Sequence, residues 1–112
     1  MPSRTNVQLG NYRFEWDEAK NRANIRKHGF HFAEAEIMFR GFILARPDTR
    51  KDYGEERWTG IGLIRGRVAF VAFTERSPDT IRVISLRKAD REEREEYEKA
   101  IQGAIEDGLE AN

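Results

Sequence analysis

At 112 residues and 13.1 kDa the chain has room for one hydrophobic core and no second domain. Charged residues make up 36%, against roughly 25% in an average soluble domain, yet 38% hydrophobic residues, with 7 Phe, 2 Trp and 3 Tyr, exclude a disordered chain. Cysteine is absent, which excludes disulfide scaffolds, thiolate zinc sites and cysteine nucleophiles; with only 2 His, no metal or cofactor is expected, and zero net charge excludes a uniformly polybasic protein.

Residues 1–11 lack a helical period and read as a flexible N-terminal arm. Tyr12 to Trp16 alternates aromatic and charged side chains, as a short strand does. Asp17 then stands as an N-cap, and a helix is predicted to His28, with cations at its negative pole and Gly29 beyond it. Phe32, Ala35, Met38 and Phe39 share one face of a second short helix that Gly41 can end. Phe42 to Ala45 reads as a strand and Pro47 to Gly54 as a polar loop. Trp58–Ile64 and Arg67–Thr74 flank a two-residue turn at Arg65-Gly66, and Ser77 to Asp79 turns into a strand over Ile81–Leu86. Asp90 with Glu93 forms a capping box for a last helix, Arg91 to Ile105. The single domain is placed at 12–105, with 106–112 as a tail. The longest apolar run, Val68 to Phe73, is too short to cross a bilayer, and no basic-then-apolar leader opens the chain, so a cytoplasmic protein is expected.

The resulting order is β-α-α-β-β-β-β-α. Short turns between strands predict an α+β fold with a small antiparallel sheet and the helices packed on one face. The two-residue turn sets Arg57 opposite Thr74, Glu55 opposite Arg76 and Glu56 opposite Glu75, and the next turn sets Thr74 opposite Arg82. Arg57, Thr74 and Arg82 then form one row, while Trp58, Phe73 and Val83 form a row on the helix-bearing face. Charge is unevenly distributed: residues 61–88 carry six basic and two acidic side chains, and residues 89–112 three basic and nine acidic. A basic middle beside an acidic tail is what a local anion site would look like.

Several segments resemble the BrnT family, also known as DUF497. They are Phe14 to Lys20, Asn24 to Gly29, Phe32 to Ala35, Gly54 to Arg57, the Gly62 strand, Phe73 to Arg76, Ile81 to Ala89, Glu93-Arg94 and Tyr97-Glu98. The ordered set spans about residues 12–100. The resemblance implies a RelE-like fold and a type II toxin–antitoxin toxin that cleaves RNA without a metal and is silenced by a BrnA-type antitoxin. The last helix departs from the arginine-rich pattern common in that family: Asp90 to Glu98 is strongly acidic.

Metal-free RNA cleavage by the 2′-hydroxyl needs a base, an acid for the leaving 5′-oxygen, and cations for the phosphoryl oxygens. His28 is the candidate acid or base, because imidazole exchanges protons near neutral pH; its other reading is a helix C-terminal cap. Arg57 and Arg82 are candidate phosphate clamps. Arg87 is a second candidate, which strand alternation turns to the face opposite Arg82 unless a bulge intervenes. The resemblance favours Arg87 and the register favours Arg82. Glu55 is a candidate base or a group that orients an Arg or His. Lys27, Thr74, Arg76 and Lys88 are candidate substrate contacts. His31 reads as a loop residue entering the second helix, and Tyr97 as packing beneath the sheet.

The functional expectation is a metal-independent endoribonuclease toxin, with RNA as substrate and the antitoxin covering the arginine-bearing face. Oligomerisation is expected through the antitoxin. The alternatives are a non-catalytic RNA-binding module on the same face, or a pure protein-interaction module.

Overall fold

The computed structural model describes residues 12–107. The expected arm at 1–11 and residues 108–112 of the expected tail lie outside the described residues. In chain order the elements are β1 (Arg13–Glu15), α1 (Glu18–His28), a 3-10 turn (Phe32–Glu34), α2 (Ala35–Phe39), β2 (Leu44–Pro47), β3 (Trp58–Ile64), β4 (Arg67–Ser77), β5 (Thr80–Lys88) and α3 (Arg91–Glu106). The fold is α+β in the expected order.

The five strands lie in the order β1-β5-β4-β3-β2. The sheet is mixed, not wholly antiparallel, because β1 runs parallel to β5, with Phe14 beside Ile81. Short turns dictate direction only for strands they join. No turn joins β1 to β5; two helices and three strands lie between them in the chain. The β3–β4 hairpin turns at Arg65 and Gly66, both at positive φ (50° and 83°), as a primed two-residue turn requires. Trp58 pairs with Phe73 and Phe73 with Val83, as the sequence predicts.

Strand β2 lies two residues later than expected and includes Pro47, opposite Trp58. It is an edge strand, where a missing N–H costs the ladder nothing. The turn between β4 and β5 holds two residues, Pro78 and Asp79, and not three. An irregularity between Glu75 and Ser77 restores the count, so Thr74 still pairs with Arg82. The β3–β4 ladder ends at Trp58–Phe73, so the pairs expected beyond it, Arg57–Thr74, Glu56–Glu75 and Glu55–Arg76, are not part of the sheet.

One face of the sheet carries the core. Phe30, Phe32, Ala35, Met38 and Phe39 pack there against Trp58, Val71, Phe73, Val83 and Leu86, all buried. Phe39 meets Phe73 edge-to-face at 5.1 Å. Helix α1 is capped as expected: the Asp17 carboxylate accepts from Lys20 N–H, and Gly29, at φ 80°, donates its N–H to Ile25. Its buried residues, however, are Asn21 and Asn24. Strand β1 covers only residues 80–82 of β5. Asn24 occupies the open edge beyond it, donating to Leu86 O (2.8 Å) and Phe30 O (3.0 Å) and accepting from Leu86 N–H (3.2 Å).

The helices do not all share one face. Glu93 and Glu96 of α3 pair with Arg87 and Arg46. The ladder partners of these arginines, Phe70 and Thr59, alternate away from the α2 side. Tyr97 is buried, and its hydroxyl donates to Phe42 O. Among the described residues no helix is long and apolar enough to cross a membrane.

Candidate active site

The loop from Asp48 to Arg57 joins β2 to β3 and forms an open cleft of about 600 Å³. Its walls include Asp48, Lys51, Tyr53, Glu55, Arg57 and Trp58. Asp48 N–H donates to Arg57 O at 2.7 Å, which brings the two ends of the loop together. The Asp48 carboxylate accepts from Arg50 Nε and Nη2, both at 2.8 Å, and from the Tyr53 hydroxyl at 3.2 Å. Hydrogen bonding from Arg50 holds the Asp48 carboxyl down at about 2. Gly54, at φ 77°, turns the loop toward Glu55.

Inside this frame Arg57 Nε donates to Glu55 Oε2 at 3.3 Å, and its Cζ lies 4.2 Å from the Tyr53 ring centroid. Lys51 Nζ lies 5.3 Å from the same ring. The Arg57 and Glu55 side chains remain 26% and 35% exposed, so a ligand entering the cleft can reach both. Thr74, buried, donates to Glu56 O at 2.7 Å and pairs with Arg82. Arg57 lies one residue before the Trp58–Phe73 end of the β3–β4 ladder, so the row expected across Arg57, Thr74 and Arg82 keeps only its Thr74–Arg82 pair. Arg82 Nη1 donates to Glu15 Oε2 at 3.1 Å, and Arg76 Nε lies 3.9 Å from that oxygen. Arg57, Thr74, Arg76 and Arg82 thus gather at one end of the sheet.

Arg87 lies on the same sheet face as Arg82. Between Ala72–Ser85 and Phe73–Val83 the register slips by one, leaving Ile84 as an extra residue in β5. That bulge cancels the alternation that would have turned Arg87 away. Arg87 nevertheless sits opposite Phe70, four residues along β4 from Thr74, so it is separated from Arg82 by roughly 13 Å. It is also committed elsewhere: Nη1 and Nη2 bond Glu93 at 2.9 and 3.0 Å, and its Cζ lies 4.1 Å from the Phe70 ring centroid.

His28 is not brought to this end. Helix α1 follows β5 in the same direction, from Glu15 beside Arg82 to Asn24 beside Leu86. One further turn carries His28 past Leu86, toward the Lys88 end. No imidazole lines the cleft. Lys27 lies beside His28 on the exposed helix end, and Lys88 is exposed at the end of β5. His31 caps the 3-10 turn, with Nδ1 accepting from Ala33 N–H at 2.9 Å. The residues that sequence reasoning passed over are Asp48, Arg50, Lys51 and Tyr53, read only as polar loop. An aromatic flanked by cations between two strands was the available signal.

Taken together, the geometry defines a small α+β protein whose strand-end cleft combines an accessible guanidinium and carboxylate, the groups suited to a phosphodiester. The chain matches the profile of the family described as ribonuclease toxin, BrnT, of type II toxin–antitoxin system, over residues 16–93. Among solved structures it is similar to the Brucella abortus ribonuclease toxin BrnT, determined at 1.1 Å. The two share 30% identity and a TM-score of 0.54, covering 72% of this chain and all of that one. Comparison with curated proteins gives no match. The chain belongs to the BrnT family of ribonuclease toxins, whose type II systems pair each toxin with an antitoxin.

Proposed function

We propose that the chain is a metal-independent endoribonuclease whose reaction centre is the Arg57–Glu55 cleft. Arg57 bonds the scissile phosphate through its planar fork and neutralises charge that grows on the phosphoryl oxygens. The phosphate takes the place of Glu55 as partner of Arg57, and the released carboxylate accepts the 2′-hydroxyl proton. The 2′-oxygen attacks phosphorus, the bond to the 5′-oxygen breaks, and that oxygen takes up a proton from water, leaving a 2′,3′-cyclic phosphate and a 5′-hydroxyl. Arg82 and Arg76, across Thr74, hold a neighbouring phosphate of the strand. His28, Lys27 and Lys88 lie toward the other end of β5 and serve only RNA that extends along the sheet.

The observation that carries this reading is the 3.3 Å contact between Glu55 and Arg57, both accessible, in a concave loop. A BrnA-type antitoxin then acts by covering this arginine-bearing end, so growth arrest in the cytoplasm lasts until it binds. Oligomers form through that antitoxin. Incubation of RNA with the full chain in excess chelator tests the chemistry. Cleavage with cyclic-phosphate ends is expected; dependence on added divalent metal overturns it.

A second reading, an RNA-binding module without turnover, is favoured by the absence of imidazole from the cleft lining. It requires unchanged strand length on a denaturing gel despite salt-sensitive RNA affinity.

A further inference from the structure

We propose that Asp48 and Tyr53 are positioning residues for Arg57, forming a relay from a shielded carboxylate through an aromatic ring to the guanidinium that the cleft presents. The inference rests on the reading of Arg57 as the phosphate-binding group.

The Asp48 side chain is only 3% exposed, although it begins a surface loop. Its oxygens accept from the Arg50 backbone and guanidinium and from the Tyr53 hydroxyl, while its own N–H holds Arg57 O. One residue therefore ties down the turn, the aromatic ring and the backbone of the arginine. With its hydroxyl fixed at 3.2 Å, the Tyr53 ring has a defined place beneath Arg57. A guanidinium lying 4.2 Å from a ring centroid is favoured electrostatically and loses much of its rotational freedom. Glu55 engages only Nε, so Nη1 and Nη2 make no hydrogen bond among the described residues. The donors suited to two phosphate oxygens are thus held ready, and an arriving phosphate displaces Glu55 from Nε alone. Geometry fixed before the substrate arrives is what lets a charged group act on the transition state rather than reorganise toward it.

A double-mutant cycle with side-chain NMR on the full chain tests the relay. In single-turnover RNA cleavage, Tyr53→Leu is expected to lower the rate about tenfold or more. Tyr53→Phe, which keeps the ring but loses its bond to Asp48, is expected to fall between wild type and Tyr53→Leu. In an Arg57→Ala background, Tyr53→Leu is expected to change the rate by less than about twofold, because the group it positions is gone. The Arg57 side-chain protons are expected upfield from the Tyr53 ring current in the wild type. They move toward their free values in Tyr53→Leu and part of the way in Asp48→Asn. Independent, multiplicative rate losses, or Arg57 resonances indifferent to Tyr53→Leu, overturn the relay. If Arg57→Ala leaves cleavage intact, the phosphate-binding reading fails first and the proposal falls with it, even where the resonances move. Should Tyr53→Leu fail to fold, Asp48→Asn provides the same rate and resonance comparisons.

Discussion

Asn24 binds both backbone groups of Leu86, donating to its carbonyl and accepting from its N–H, as a neighbouring strand would. A helix side chain thereby completes the edge of β5 where β1 stops, and it does so in a buried setting. Asn24→Ala leaves Leu86 N–H and two carbonyls without this partner. The expected loss is on the order of 2–3 kcal/mol, read as a lower denaturation midpoint with an unchanged denaturant slope. Asn24→Asp is expected to fare no better, since a carboxylate keeps the acceptor but turns repulsive oxygens toward the carbonyls of Leu86 and Phe30.

Arg87 and Arg82 occupy one face but serve different ends. The Glu93 carboxylate that receives both Arg87 nitrogens also accepts Asp90 N–H at the start of α3. Arg87→Ala is expected to loosen the first turn of α3 and cost about 1 kcal/mol, with faster hydrogen exchange near residues 90–94. Arg82→Ala is expected to leave α3 intact and weaken RNA binding, with a shallower salt dependence. The reverse assignment, with RNA affinity lost at Arg87 alone, contradicts the site placement.

The loop carries a pH signature. The Asp48 carboxyl titrates at about 2, below the usual aspartate value, chiefly because Arg50 hydrogen-bonds its charged form. A depressed folded-state value makes the charged form stabilising above about pH 4, with that contribution lost as pH falls through about 2. Its size is on the order of 1 kcal/mol, since Arg50 is 71% exposed and water screens the pair. Acid titration followed by NMR at Asp48 is expected to show the low midpoint. Asp48→Asn is expected to be destabilised relative to wild type at neutral pH, with the difference shrinking below pH 3.

Tyr97 is buried under the sheet, where desolvation pushes its phenol upward. Tyr97→Phe removes one hydrogen bond, to Phe42 O, and is expected to cost about 1 kcal/mol in thermal unfolding without altering RNA cleavage.

Much of this architecture was legible because local chemistry and tertiary structure agree. Asp17, Gly29, Asp90 and Glu93 cap helices where their types demand it, and the Arg65-Gly66 turn sets the pairing of Trp58 with Phe73. Long-range features were not legible. The parallel direction of β1 depends on a partner nearly seventy residues away, and burial of Asn21 and Asn24 depends on a sheet edge the helix pattern does not reveal. The Ile84 bulge, invisible in alternation, decides which face Arg87 takes. Near the cleft, the turn register gives the Thr74–Arg82 pair, but it does not extend to Arg57, which lies beyond the ladder. His28 was selected for its chemistry, but the course of α1 along β5 carries it away from them. Tyr53 and Asp48 were missed because a loop has no period to read.

The most direct measurement is the single-turnover rate of RNA cleavage, in chelator, by wild type, Arg57→Ala and Glu55→Gln chains of equal thermal stability. Each substitution is expected to lower the rate about 100-fold or more, as removal of one charge-stabilising or proton-accepting group does. His28→Ala is expected to lower it far less. Full activity in Arg57→Ala together with its loss in His28→Ala contradicts the site described.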